Sequence, residues 1–103
     1  MAKAQRFDAA EYLDSSEDIA EYLSEAFATR DTEFIVKAIG TIARAQGMAE
    51  VARRTGLNRE SLYRALNAGG NPELDTLMKV LNVLGVQLAT KPKAQEARAA
   101  VVG

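Results

Sequence analysis

The sequence lacks several residue types on which common protein functions depend. Its 103 residues contain no cysteine and no histidine. Without cysteine there is neither a disulfide framework nor a thiolate metal site, and without histidine both the commonest metal ligand and the commonest general base are missing. No apolar run is long enough for a membrane span, and the N-terminus lacks the apolar stretch of a secretory signal. We therefore expect a cytoplasmic binding protein with no metal, no cofactor and no catalysis.

Charge is divided unevenly along the chain. The formal net charge is only −1, but residues 1–36 carry three basic and nine acidic groups, whereas residues 37–103 carry ten basic and five acidic groups. Such asymmetry indicates two surfaces with different partners. Because phosphate contacts depend on the local field rather than on the total charge, the second part of the chain can still bind DNA.

The hydrophobic pattern divides the chain into three parts. Residues 1–14 show no sustained period and are predicted to be an N-terminal arm, although Phe7, Tyr12 and Leu13 could pack onto the helical region after them. Residues 91–103 also lack a core-forming pattern and are predicted to be a flexible tail. Residues 15–90 are predicted to form one all-α domain of five helices with a short C-terminal strand.

Local signals set the bounds of the first four helices. Ser15 is a helix cap, and a second helix runs from Thr32 to Gln46 before Gly47, a typical helix terminator. Two shorter helices are predicted at about 48–55 and 59–67. This order places a pair of short helices in the middle of the chain.

The last predicted helix leads into the strand. Asn71 is its cap and Pro72 lies in its first turn. Its predicted buried residues are Leu74, Leu77, Met78, Leu81 and Leu84. The alternation of apolar and polar residues over 86–90 predicts a short strand. Since a lone strand needs a partner, we expect it to pair with the same strand of a second copy, which places a homodimer interface at about 72–90.

Residues 48–67 have the pattern of a helix-turn-helix motif, for which a plain helical hairpin is the alternative. Ala52 is small where the second helix would cross the first, and Gly56 tolerates the positive φ that a tight turn requires. Leu57 would fill the core beside the turn. Asn58 would cap the second helix, and Leu62 would anchor its inner face.

The outer face of this second helix carries groups suited to the DNA major groove. These outward residues are Asn58, Arg59, Glu60, Tyr63, Arg64 and Asn67. Arg59 or Arg64 could contact guanine, and Asn67 could reach adenine or a phosphate. On the preceding helix, Arg53 and Arg54 could bind the phosphate backbone. The alternative is that these side chains are only solvated.

The segment resembles the helix-turn-helix of lambda-repressor/Cro-like regulators, and residues 7–90 as a whole resemble the addiction-module antidote (antitoxin) family. The matching segments occur in order along the chain, and they are FDAAEYL (7–13), EDIAEYL (17–23), AIGTIARA (38–45), RESLYRAL (59–66), NPELDTL (71–77) and LGVQL (84–88). This resemblance implies an antitoxin of a type II toxin-antitoxin module, which neutralises a small basic mRNA-cleaving toxin and represses its own operon as a dimer on double-stranded operator DNA.

An acidic run in the first predicted helix offers a surface for such a toxin. Its residues are Glu17, Asp18, Glu21 and Glu25. Glutamates four residues apart repel one another on a helix, and a basic partner would relieve that repulsion. The alternative is a solvated face on which the first two acids stabilise the helix N-terminus.

Three other functions remain open from the sequence. One is a stand-alone Cro-like repressor without a toxin partner, and another is a protein–protein adaptor that has lost DNA binding. An enzyme is the least favoured, because no pair of carboxylates has the pattern of a buried acid and base.

Overall fold

The computed structural model describes residues 15–93, which form five α-helices and contain no strand. The helices are α1 (Ser16–Ala28), α2 (Thr32–Gln46), α3 (Met48–Thr55), α4 (Arg59–Leu66) and α5 (Leu74–Val83). The predicted all-α architecture is thus confirmed over this range. The arm predicted at 1–14, with its FDAAEYL segment, and residues 94–103 of the predicted tail lie outside the described residues. Within the described range, no helix has both the length and the apolar character needed to cross a membrane.

Side-chain caps begin two of the helices where the sequence predicts them. The Ser15 hydroxyl accepts a hydrogen bond from the Asp18 backbone N–H at 3.1 Å, at the start of α1. The Asn58 side-chain oxygen accepts from the Ser61 N–H at 3.0 Å, at the start of α4. Each cap satisfies a donor that the first helical turn leaves without a partner.

The core is built around α2, which packs against α1, α3 and α4, while α3 also packs against α5. The large side chains with almost no exposed surface come from α2, α3, α4 and α5, and they are Ile39, Ile42, Val51, Leu62, Leu66 and Val80. No polar or charged side chain among the described residues is buried. The short helices α3 and α4 are therefore held from behind by a purely apolar core.

A single residue, Gly47, joins α2 to α3. Its φ of +100° is positive, as its position after α2 predicts, although its ψ of 112° lies outside the left-handed helical region. Its N–H donates to the Arg44 carbonyl at 3.1 Å, and its carbonyl accepts from the Val51 N–H at 3.0 Å. The end of α2 and the beginning of α3 thus share one residue.

A second glycine sets how closely α4 approaches α2. Gly40 is buried in the middle of α2, and a Cβ built on it would lie 2.6 Å from the Leu66 carbonyl oxygen at the end of α4. Non-bonded atoms are not found so close, and the neighbour is backbone, which cannot rotate away. Only a residue without a side chain allows this packing.

The start predicted for the last helix is wrong. The helix begins at Leu74, and Glu73 occupies the cap position without a side-chain capping bond. Residues 71–73 are outside the helix, and Glu73 has an extended ψ of 154°. Because Glu73 is extended, the helix cannot begin before it, and Asn71 and Pro72 belong to the loop.

Two residues of the predicted buried stripe of α5 are exposed. Leu74 is 67% exposed and Met78 is 48% exposed, whereas Val80, which the prediction omitted, is fully buried. The residues of α5 and of its C-terminal cap that pack into the core are Leu77, Val80, Leu81, Val83 and Leu84. Leu74 lies in the first turn of α5, and Met78 lies four residues later on the same side of the helix, away from the buried residues.

The prediction of a strand at 86–90 is also wrong for the single chain. After α5 the Val86 N–H donates to the Leu81 carbonyl at 3.0 Å, and residues 86–93 then continue without regular secondary structure. A strand exists only through hydrogen bonds to a neighbour, and the described residues place no strand beside this segment.

Replacing Gly40 with alanine is expected to destabilise the fold by about 1–3 kcal/mol, because the new methyl group would force α2 and α4 apart. Helix propensity alone predicts the opposite effect, an increase of about 0.5–1 kcal/mol in the free energy of unfolding. Urea unfolding of the full chain measures the difference. Ala45→Gly, at an exposed position of the same helix, calibrates the propensity effect, and a Gly40→Ala variant more stable than the parent would contradict the close packing.

Candidate nucleic-acid interface

The turn between α3 and α4 is closed by its own hydrogen bonds. Gly56 adopts a left-handed conformation with φ +77°, and the N–H groups of Gly56 and Leu57 donate to the Ala52 carbonyl at 2.9 and 3.2 Å. The Thr55 hydroxyl donates to the Val51 carbonyl at 2.8 Å and accepts from the Leu57 N–H at 3.2 Å. The direction in which α4 leaves α3 is therefore fixed locally.

The four residues predicted to shape this turn occupy the expected environments. Ala52 is buried on the inner side of α3, and Leu62 is buried on α4. Leu57 is half-buried against the core, and Gly56 is exposed with open space around its Cα. Thr55 was not among the residues predicted to shape the turn, although a threonine side chain at a helix end can form hydrogen bonds with nearby backbone groups.

Helix α4 has one buried and one exposed side. Leu62 and Leu66 are buried, and Ala65 is half-buried beside them. The residues predicted to contact DNA from this helix and its two flanking positions are all exposed, and they are Asn58, Arg59, Glu60, Tyr63, Arg64 and Asn67. The fold thus brings all six to one accessible region, while their roles toward DNA stay predictions.

Internal bonds already occupy part of this surface. The side-chain oxygen of Asn58 caps α4, so its amide N–H groups are what it offers outward. The Arg64 guanidinium lies 3.4 Å from the Ser61 hydroxyl. Tyr63 is 37% exposed although it is aromatic, so its ring can contact a partner without any change in the core.

On α3, Arg53 is held by a neighbouring carboxylate. Its Nε donates to Glu50 Oε1 at 3.2 Å, and its Nη2 contacts Glu50 Oε2 as well. The hydrogen bond and the positive charge of Arg53 lower the pKa of Glu50, and the pKa of Arg53 is raised by the same pairing. Glu50 was not among the predicted site residues, although its spacing of three residues from Arg53 on a helix is a known signal for such a pair.

The exposed charge of the α3–α4 region is positive. Its four arginines, Arg53, Arg54, Arg59 and Arg64, outnumber its two carboxylates, Glu50 and Glu60. Since the whole chain is slightly acidic, this positive charge is a local property of the helix pair. Local charge is what determines attraction to phosphate.

The α1 helix presents the opposite charge. Glu17, Asp18, Glu21 and Glu25 are all exposed, and the helix contains no basic residue. Glu17 and Asp18 lie in its first turn, where negative charge is favourable whether or not a partner binds. The two acids farther along, Glu21 and Glu25, gain no such benefit and are the more informative candidates.

The loop after α4 packs closely against that helix. A Cβ built on Gly70 would lie 2.2 Å from the Ala65 carbonyl oxygen, and the Gly70 N–H donates to the Asn67 carbonyl at 2.8 Å. A shallow cleft results, in which Arg64 lies beside Asn71 and other loop residues. Within residues 15–93, no group of three or more carboxylates is arranged to hold a metal ion.

Comparison with known proteins gives two matches. The model of a family described as "probable addiction module antidote protein" matches residues 3–92. An uncharacterised protein of Haemophilus influenzae is 47% identical over 81 residues, which cover 79% of this chain and 84% of that protein. No solved structure matches the chain.

The Glu50–Arg53 pair gives a prediction for pH dependence. Because the folded pKa of Glu50 is lowered, the pair is complete at neutral pH and is lost as the pH falls through that lowered pKa. In an NMR titration of the side-chain carboxyl carbon, we expect Arg53→Leu to raise the midpoint for Glu50 toward the usual glutamate value. Lys37→Leu, on α2, serves as the control, and a midpoint for Glu50 that is the same in all three proteins would refute the pairing.

Proposed function

The chain belongs to the addiction module antidote family, and we propose that it is a cytoplasmic, non-enzymatic antitoxin that binds a cognate toxin protein and represses its own operon by binding operator DNA as a dimer. The family membership supports the toxin partner. The exposed, arginine-bearing side of α4 supports DNA binding.

For DNA binding, we propose that α3 and α4 act as a helix-turn-helix, with α4 lying in the major groove. The observation that carries this proposal is a short helix whose inner side is locked by Leu62 and Leu66 while Arg59 and Arg64 are exposed on its outer side. A major groove about 12 Å wide admits a helix of this kind. The fixed turn before α4 would hold the helix at one angle to the DNA.

The individual residues would have different tasks. Arg59 and Arg64 have the geometry for paired hydrogen bonds to guanine, and Tyr63 could contact a thymine methyl group or a phosphate. Arg54 on α3 would bind the phosphate backbone. Arg53 would reach phosphate only by sharing its guanidinium with Glu50, so its contribution to affinity should be the smaller of the two.

The exposed apolar side chains of α5 support a dimer. Leu74 and Met78 are four residues apart, on one side of the helix, and are 67% and 48% exposed. Both lie within the proposed interface at 72–90, and a second copy would cover them. A dimer would present two α4 helices, and its two-fold symmetry would match two half-sites of an operator.

For toxin binding, we propose the acidic surface of α1. Its four exposed carboxylates and its lack of basic residues give a field that would steer a basic protein toward it. This surface lies on a different helix from the proposed DNA-reading surface of α4.

Replacing either Arg59 or Arg64 with alanine is expected to weaken specific operator binding by about 1–3 kcal/mol, since each would remove a contact to a base. Binding of the purified protein to its own upstream DNA and to a scrambled duplex, measured over a salt series, separates the specific effect from the general effect of charge. We expect the loss to be larger on the operator than on scrambled DNA.

Lys37→Ala is the matched control, because it removes one exposed cation from α2 and should leave operator binding nearly unchanged. Circular dichroism of each variant checks that the helices are retained. If both arginine variants bind the operator as well as the parent protein does, α4 is not the reading helix.

The double variant Glu21→Gln/Glu25→Gln is expected to slow association with the toxin by about two- to fivefold per charge removed, with an effect that shrinks as salt is raised. Surface plasmon resonance with the purified toxin measures the rate, and operator binding should not change. Glu33→Gln, at an exposed position of α2, is the control. Equal rates for all three proteins would place the toxin surface elsewhere, and no complex at all would favour a stand-alone repressor.

A further inference from the structure

A groove runs between α1 and the segment after α5. Its apolar lining comes from both walls and from the end of α5, and consists of Leu23, Phe27, Leu81, Val86 and Leu88. Leu23 and Leu81 form its buried floor, whereas Leu88 is 36% exposed. Among the described residues this groove leaves apolar side chains accessible that neither the DNA nor the toxin is proposed to contact, although Leu81, Val86 and Leu88 fall within the 72–90 range proposed for the dimer.

The charged side chains among the described residues of the groove are all basic. Arg30 stands at the α1 end, and Lys91 and Lys93 stand on the opposite wall; all three line the groove and are exposed. None of the described residues that line it is acidic. A ligand that fits must therefore combine apolar side chains with negative charge.

One such segment immediately precedes α1 in the sequence. Residues 7–14, FDAAEYLD, carry three carboxylates and no basic group, together with the large apolar side chains of Phe7, Tyr12 and Leu13. They lie outside the described residues and lead directly into Ser15, the cap of α1. The candidate ligand is thus joined covalently to one wall of the groove.

The length of the segment matches the groove. Eight residues can extend over about 26 Å, whereas α1, with its 13 residues, is about 20 Å long. A chain that turned back at Ser15 could run along the side of α1 as far as Phe27 and Arg30. Its carboxylates would then reach the cations on the rim.

We propose that residues 7–14 occupy this groove of their own chain, with their apolar side chains against Phe27 and Leu88 and their carboxylates near Arg30 and Lys91. The inference stands independently of DNA and toxin binding. The same groove on a second copy, or a segment of a partner protein, is the competing occupant that the experiment must distinguish.

Disulfide trapping tests the proposal, because the chain contains no natural cysteine. The full-length double variant Ala10→Cys/Ala28→Cys places one thiol in the segment and one on the groove wall. Ala10→Cys/Ser61→Cys places the second thiol on α4 instead, at a position that is also exposed. Under mild oxidation, mass spectrometry after proteolysis measures how fast each disulfide forms, and whether it lies within a chain or between chains.

We expect the groove pair to form an intrachain disulfide faster than the α4 pair. Adding Lys91→Glu should slow that reaction by about two- to fivefold, whereas Lys37→Glu should not. Equal rates for the two pairs would overturn the proposal and leave the groove to a partner protein. A disulfide mainly between chains would overturn it in favour of a second copy.

Discussion

The close approach of the Leu66 carbonyl to Gly40 positions the exposed surface of α4 relative to the rest of the fold. Helix α4 has only eight residues, and a helix of that length is not stable in water by itself. It exists because Leu62 and Leu66 are buried and because the missing side chain at Gly40 lets its last turn dock on α2. The geometry of the outer surface of α4 therefore cannot be separated from the packing behind it.

The sequence alone predicts a structural feature correctly where that feature depends on the chemistry of neighbouring residues. The caps at Ser15 and Asn58, the positive φ of Gly56 and the bounds of α2 are each determined by side chains within one turn of the position concerned. The exposure of Arg59 and Arg64 was also predictable, because the spacing of Leu62 and Leu66 fixes which side of α4 faces inward. Local signals are read directly from neighbouring residues.

The sequence alone does not predict features that are determined by tertiary packing or by contact with another chain. A strand at 86–90 would need a partner strand, and the described residues contain none. The exposure of Leu74 depends on how far the hydrophobic core extends along α5, which the helical pattern of α5 does not specify. The close contact at Gly40 was equally hidden, although a glycine inside a strong helical pattern is itself a signal of tight packing. The ion pair between Glu50 and Arg53 could not be predicted with certainty either, because a spacing of three residues on a helix allows such a pair but does not require one.

The junction at Gly47 has a consequence for how the molecule opens. Because Gly47 bonds to Arg44 of α2 through its N–H and to Val51 of α3 through its carbonyl, we expect the last turn of α2 and the first turn of α3 to lose order together. Transient local opening should therefore expose amides on both sides of Gly47 together, so that in hydrogen–deuterium exchange the two helix ends behave as one cooperative unit. The part of the fold that carries the positively charged helix pair is in this way tied to the motions of the central core helix.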